Sequence, residues 1–193
     1  MLGWTLAAAS AITVLPIPVR LIRSRNSEGV SALTSCLGVV TMSLWCWYTL
    51  GIRDWPALAS SMGPLLAWGI TLVVLLVLRH DRLTLLLTVL AIVSSSLAIL
   101  LPSKIQMVLA IAGSMLWSLP QLRIAVKGGS MEGVSAVAYF AVLAENVGWV
   151  LYSIGTGTMA YIFAPIIQGP AAGIIAARTL RSHKLITLHT IPQ

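Results

Sequence analysis

Apolar residues run through this chain in seven long blocks, at about 2–22, 32–52, 57–78, 83–101, 105–123, 134–154 and 159–178. Each block is near the ~20 residues that a helix needs to cross a hydrocarbon core. Polar and basic residues gather in the short gaps between them. Alternation with a period of two is not sustained anywhere, so strands are not expected. In lipid only helices and closed barrels satisfy their own backbone. The pattern therefore predicts an all-α integral membrane protein with seven transmembrane helices.

The gaps set an orientation. Arg20, Arg23 and Arg25 follow the first block, and Arg79 and Arg82 flank the gap after the third. Arg123 and Lys127 follow the fifth, and Arg178, Arg181 and Lys184 begin the tail. Of the 12 basic residues, only Arg53 and Lys104 fall on the other side. Basic loops stay cytoplasmic. The amino terminus is expected outside and the carboxyl terminus in the cytoplasm. No Lys or Arg precedes Arg20, whereas a secretory leader starts with basic residues. Residues 1–22 thus read as a retained first helix.

A repeat orders the blocks further. Glu28-Gly29-Val30-Ser31-Ala32 returns as Glu132-Gly133-Val134-Ser135-Ala136, an offset of about 104. The same offset carries Leu15-Pro16 onto Leu119-Pro120, Arg23 onto Lys127, Trp45 onto Trp149, Tyr48 onto Tyr152 and Gly51 onto Gly155. Each copy spans three helices. Because three is odd, a direct duplication would come out inverted in the membrane, and one extra helix restores the parallel sense. The expected architecture is two parallel three-helix bundles joined by a linker helix, 3+1+3. Residues 1–78 form the first unit, 79–103 the linker, 104–180 the second unit and 181–193 a cytoplasmic tail. Parallel repeats of this kind are a carrier architecture, with the solute site near midplane where they meet.

Composition narrows the function. The chain is 58% hydrophobic and 9% charged, against about 25% charged for soluble domains. Its net charge of +7 would suggest nucleic acid in a soluble protein; here it is spent on orientation, and no nucleic-acid partner is expected. Cys36 and Cys46 share one block and cannot reach each other along a helix. His80, His183 and His189 lie at the basic boundary or in the tail. Neither a nucleophile triad, a metal-ligand cluster nor a phosphate loop is present. The reading is a non-enzyme with no cofactor and no metal, with the lipid bilayer as its solvent; a homo-oligomer stays open.

Candidate chemistry sits inside the blocks. Pro16 and Pro120 lie near the basic ends of helices 1 and 5, where a proline removes a backbone hydrogen bond and makes either a hinge or a static kink. Glu145, Trp149 and Tyr152 share a face of helix 6 at i, i+4, i+7 spacing, with Asn146 beside them. Thr41, Trp45 and Tyr48 form the matching face of helix 2. The tyrosines suit a membrane-surface belt, and Trp45 and Trp149 suit a solute pocket together with Asn146. Glu145 is the one acidic residue inside a block. A charge there costs about 2.5–3.5 kcal/mol on insertion scales, so it reads as a proton-coupling candidate or as a carboxyl bonded across helices. Helix 3 carries Gly63, Pro64, Trp68 and Gly69; helix 7 carries Pro165, Gly169, Pro170, Gly173 and a single amide, Gln168, a further pocket candidate.

These residues also carry a family resemblance. Leu119-Pro120-Gln121, Lys127 and Glu132-Gly133-Val134-Ser135 resemble the PQ-loop motif. Nearly the whole chain resembles the PQ-loop superfamily, which includes the SWEET sugar facilitators, the bacterial SemiSWEETs, cystinosin and lysosomal cationic amino-acid transporters. Leu44-Trp45-Cys46-Trp47-Tyr48 resembles the SemiSWEET stretch that supplies a sugar-facing tryptophan. Two departures stand out: Ile17 follows Pro16 where a glutamine is expected, and helix 3 lacks the asparagine that SWEETs place there. The resemblance implies a carrier for a small polar solute, sugar first, working by alternating access, with Pro16 and Pro120 as the expected hinges; the short termini, with no sorting tail evident, suggest a bacterial plasma membrane. Proton-coupled amino-acid transport is the alternative. A non-transporting receptor or scaffold is the third reading, since the KDEL receptor is a relative in fold.

Overall fold

The computed structural model describes residues 1–27, 30–117, 119–128 and 136–189, and within these every regular element is a helix. Glu28 and Gly29 of the first Glu-Gly-Val-Ser-Ala stretch and all but Ala136 of the second lie outside the described residues, as does the end of the tail. The helices are α1 Leu2–Val14, α2 Pro16–Ser24, α3 Ala32–Gly51, α4 Trp55–Arg79 and α5 Arg82–Leu97. They continue as α6 Ser103–Leu116, α7 Leu119–Val126, α8 Ala136–Thr156 and α9 Ala160–His189.

Local chemistry explains the boundaries. The Ser31 hydroxyl accepts from Thr34 N at 3.2 Å and starts α3. The Asp54 carboxylate accepts from Ala57 N at 3.2 Å and starts α4. Asp81 does the same for α5 from Thr84 N at 2.8 Å, and the Thr84 hydroxyl donates to it as well. These bonds hold the Asp81 carboxyl, which lies in a loop, below its ordinary pKa. Such caps satisfy donors that a helix start leaves open. Arg25 and His80 end α2 and α4 in the left-handed region, at φ 50° and 51°.

Among the described residues, five stretches are long and apolar enough to cross a membrane: Leu2–Ser24, Ala32–Gly51, Trp55–Arg79, Arg82–Leu100 and Ala160–Arg181. Large apolar side chains such as Leu66, Val77, Leu83 and Ile92 point outward on them, each more than half exposed. A water-soluble protein does not expose continuous apolar faces of this size; lipid accepts them.

Two expectations shift in detail. The first and fifth blocks are each two helical segments. Pro16 sits at the first position of α2 and Pro120 at the second of α7, so each proline begins a segment instead of lying within one. That is where a missing N–H costs least. Leu15 itself stays helical, at φ −53° and ψ −36°, so the first block bends without breaking. The last helix also runs to His189, past the expected end near 178.

Small residues set the packing, as expected where helices meet in lipid. α1 lies against α4 and α8, α3 against α4, α5 and α6, and α9 against α6, α7 and α8. A side chain at Gly63 would meet the backbone and Cβ of Ala11 at 2.9 and 2.8 Å, and one at Gly38 would meet the Trp68 ring. Gly148 lies under Leu6, and Gly113 under Thr41. Overfilling a tight contact costs about 1–3 kcal/mol. Gly63→Val should therefore lower the thermal midpoint in detergent by several degrees, because the obstruction is backbone. Gly69→Val should leave it unchanged, since nothing lies within 4 Å of that position.

Candidate functional site

A cavity of about 120 Å³ lies where α1, α3, α4, α6, α8 and α9 meet. Its wall combines aromatic faces with polar side chains, and the candidates from helices 2, 6 and 7 converge on it. Trp45, Trp149, Glu145, Asn146 and Gln168 all line it, together with Ser114. Tyr161 stands between the two tryptophans, its ring 5.6 Å from Trp45 and 5.5 Å from Trp149.

The polar groups are partnered in different ways. Trp45 Nε1 donates to Ser114 Oγ at 2.8 Å. Gln168 Nε2 donates to the Ser114 carbonyl at 2.6 Å, so this amide ties α9 to α6 and leaves its oxygen for other partners. Asn146 Nδ2 donates one turn back to the Val142 carbonyl at 2.9 Å. Ser60 and Ser61 bond the Ala57 carbonyl of their own helix. A solute would therefore meet the Asn146 and Gln168 oxygens and the aromatic rings first.

Glu145 is held by three donors. Trp149 Nε1 reaches it at 3.2 Å along α8. The Ser10 hydroxyl donates to it, and the Thr13 hydroxyl does so at 3.3 Å. Both hydroxyls come from α1, so the carboxyl rivets α1 to α8. Each also has a second acceptor on its own helix, the Leu6 carbonyl at 3.0 Å for Ser10 and the Ser10 carbonyl at 3.1 Å for Thr13. A hydroxyl both donates and accepts. The pair can thus donate to a carboxylate, or turn to the backbone carbonyls and accept from a carboxylic acid. The site accommodates either protonation state without moving the helices.

On one side of the cavity an aromatic layer closes the way. Trp45, Tyr48, Trp149, Tyr152 and Tyr161 form one run of ring contacts. Two of its hydroxyls converge on Asp54, from Tyr152 at 3.0 Å and from Tyr161 at 2.9 Å. Beyond this layer a wide recess, lined by Tyr48, Asp54 and Tyr152 among others, opens to the far side. The membrane-belt expectation for the tyrosines is corrected here: Tyr48 is 8% exposed and Tyr152 binds a carboxylate. Sequence reasoning passed over Asp54 because a lone aspartate before a helix reads as a cap. It passed over Ser10, Thr13 and Ser114 because hydroxyls in apolar helices usually bond their own backbone. Tyr161 carried a usable signal, as the aromatic that opens helix 7.

Pro16 and Pro120 lie away from the cavity, whereas Pro64 and Pro165 line it. Both cysteines are free. Among the described residues no group of three or more His, Cys, Asp or Glu is arranged to hold a metal.

No family model matches the sequence, and no curated protein matches it. Among solved structures, a eukaryotic SWEET transporter superposes with a TM-score of 0.67 over 95% of this chain and 97% of that one, at 12% identity. The chain shares that membrane fold.

Proposed function

We propose that the chain is a membrane carrier that moves a small polar solute, a sugar in the first reading, by alternating access. Residues 1–78 and 104–180 act as two parallel three-helix units of the PQ-loop type, with 79–103 as the linker helix. The packing fits this division: α1 and α3 each pack on α4, α6, α7 and α8 each pack on α9, the two groups meet where α3 lies on α6 and α1 on α8, and α5 lies outside against α3 and α4. The basic ends of the helices face the cytoplasm, and the Asp54 end faces outward. Pro16 and Pro120, each at the start of a short helical segment, act as hinges. Trp45, Trp149, Asn146 and Gln168 contact the solute.

One observation carries the reading. A polar and aromatic cavity lies between the two groups of helices and is closed on one side by a bonded aromatic layer drawn from both. A static scaffold has no need of such a cavity. Aromatic rings cover the C–H face of a sugar, and amide oxygens orient its hydroxyls. The solved SWEET transporter gives the sugar reading its priority.

The Glu145 arrangement favours a second reading, proton-coupled transport of an amino acid. A carboxyl whose partners tolerate both protonation states suits a coupling group. Uptake into proteoliposomes separates the two. Labelled glucose and a labelled amino-acid panel are offered with and without an inward proton gradient, to wild type, Glu145→Gln and Trp149→Ala. The expected result is glucose flux independent of the gradient, retained in Glu145→Gln and at least tenfold lower in Trp149→Ala. Gradient-driven amino-acid flux lost in Glu145→Gln would replace the first reading with the second. No flux of any kind would leave a receptor or scaffold.

A further inference from the structure

Three buried polar atoms have no hydrogen-bond partner among the described residues: Thr34 Oγ1, Trp68 Nε1 and Trp117 Nε1. All three side chains line one small cavity of about 40 Å³ on the basic side of the central one. Trp68 is 5% exposed and Thr34 is 8% exposed. A buried donor without a partner is costly, and native structures rarely leave one. Three around a single space point to something that belongs in it.

The donor set says what. An indole N–H only donates, whereas a threonine hydroxyl donates or accepts. Two obligatory donors and one hydroxyl complement a group with two lone pairs and one hydrogen. That group is a hydroxyl: it accepts from Trp68 and Trp117 and gives its own proton to Thr34. A carboxylate would bring an unpaired charge into a space whose described lining carries no cation, and an ammonium would face two donors. Size agrees, since about 40 Å³ holds one or two water-sized groups, at roughly 30 Å³ for each water in the liquid.

The position ties this cavity to the carrier site. Thr13, Trp117 and Gln168 line both spaces, and Thr13 is also a Glu145 partner. The central cavity, at about 120 Å³, is smaller than the roughly 150 Å³ space that holds benzene. A hexose has twice benzene's heavy atoms, so it overfills the central cavity, and the adjoining space is the inner one.

We infer that Trp68, Trp117 and Thr34 form an inner subsite that binds one hydroxyl, or hydroxymethyl, group of the carried solute on its way to the cytoplasmic side. The inference rests on the carrier reading for the word "carried"; the hydroxyl site itself stands on the three orphaned atoms. Gly38 keeps the Trp68 ring in place, because any side chain there would strike it.

The test separates the two parts. Protein with ¹⁵N-labelled indoles is titrated with 1,2-ethanediol and with glucose, and Trp68→Phe and Trp117→Phe assign the two resonances. Both indole signals should shift saturably with ethanediol, and Thr34→Val should weaken that binding roughly five- to tenfold, the worth of one hydrogen bond. Thr34→Val keeps the shape of the site and serves if a tryptophan variant fails to fold. In uptake, one member of a monodeoxyglucose series should lose five- to tenfold in affinity against glucose in wild type, and lose nothing further in Trp68→Phe or Trp117→Phe. Indole signals that ignore both probes would overturn the inference, because the site would then bind no hydroxyl; in the edge-on ring pair, 5.2 Å apart, one N–H at most can rest on the other ring's face. Shifted signals with a flat deoxy series would also overturn it, placing the subsite off the solute path. Shifted signals with no sugar uptake at all would sink the sugar carrier and leave the hydroxyl site standing.

Discussion

Asp54→Ala should open the outward side of the cavity and cut uptake at least tenfold. Asp54 joins both groups of helices at one point: its backbone precedes α4, and its carboxylate takes the hydroxyls of Tyr152 on α8 and Tyr161 on α9. A hydrogen bond to a charged group contributes about 1.5–3 kcal/mol. Losing two, with some recovery through water, shifts the balance of closed and open forms by about 2–4 kcal/mol, or roughly 30- to 1000-fold. A carrier that cannot hold its outer side shut cannot complete a cycle. The direct readout is modification of Thr49→Cys, a position on the central cavity wall, by an impermeant maleimide in a background lacking Cys36 and Cys46. Asp54→Ala should speed that reaction strongly. Asp54→Asn should speed it less, because asparagine still caps α4 and still offers one acceptor oxygen. Tyr152→Phe and Tyr161→Phe each remove a single bond and should fall between wild type and Asp54→Ala. Equal labelling rates in wild type and Asp54→Ala would mean that the aromatic layer is not a gate.

Asp54 also marks the limit of what this sequence discloses. Helices, their apolar faces and the bend at Pro16 are local consequences of composition and of proline chemistry, so they could be read directly. Trp45, Trp149 and Glu145 stood out because the repeat aligned two of them and because a carboxyl in an apolar block is costly. The partners did not stand out. Tyr152 and Tyr161 lie 98 and 107 positions from Asp54, and Ser10 lies 135 positions from Glu145. No local pattern encodes such pairings; they arise only when α1 packs between α4 and α8. Ser114 is hidden for the same reason. It serves Trp45 with its hydroxyl and Gln168 with its carbonyl, yet in sequence it is one serine in an apolar helix. The hidden inner cavity follows the same rule, since Thr34 lies on α3, Trp68 on α4 and Trp117 just past the end of α6.

Removing both α1 hydroxyls, Ser10→Ala with Thr13→Val, should destabilise the protein by about 2–4 kcal/mol, and adding Glu145→Leu should restore part of the loss, about 1 kcal/mol. The first step leaves the Glu145 carboxyl with the Trp149 indole alone. A charge at a helix centre is costly in lipid, and each lost charge-assisted bond contributes about 1.5–3 kcal/mol, offset in part if the carboxyl takes up a proton. The second step removes the group that needed the hydroxyls. Exchanging a whole buried polar cluster for apolar side chains of similar volume is often neutral, whereas removing one partner is not. What stays unrecovered is the Trp149 N–H, which then lacks an acceptor, at about 1–3 kcal/mol. Glu145→Gln alone should be near neutral, because an amide both accepts from Trp149 and donates to a hydroxyl whose own proton turns to the Leu6 or Ser10 carbonyl. Thermal midpoints of wild type, the double variant, Glu145→Leu alone and the triple variant in one detergent give the coupling between the sites. Purely additive losses would mean that the carboxyl is held by something other than Ser10 and Thr13. A large coupling would make Glu145 the joint through which α1 and α8 move together, the contact that any change of access between the two units has to carry.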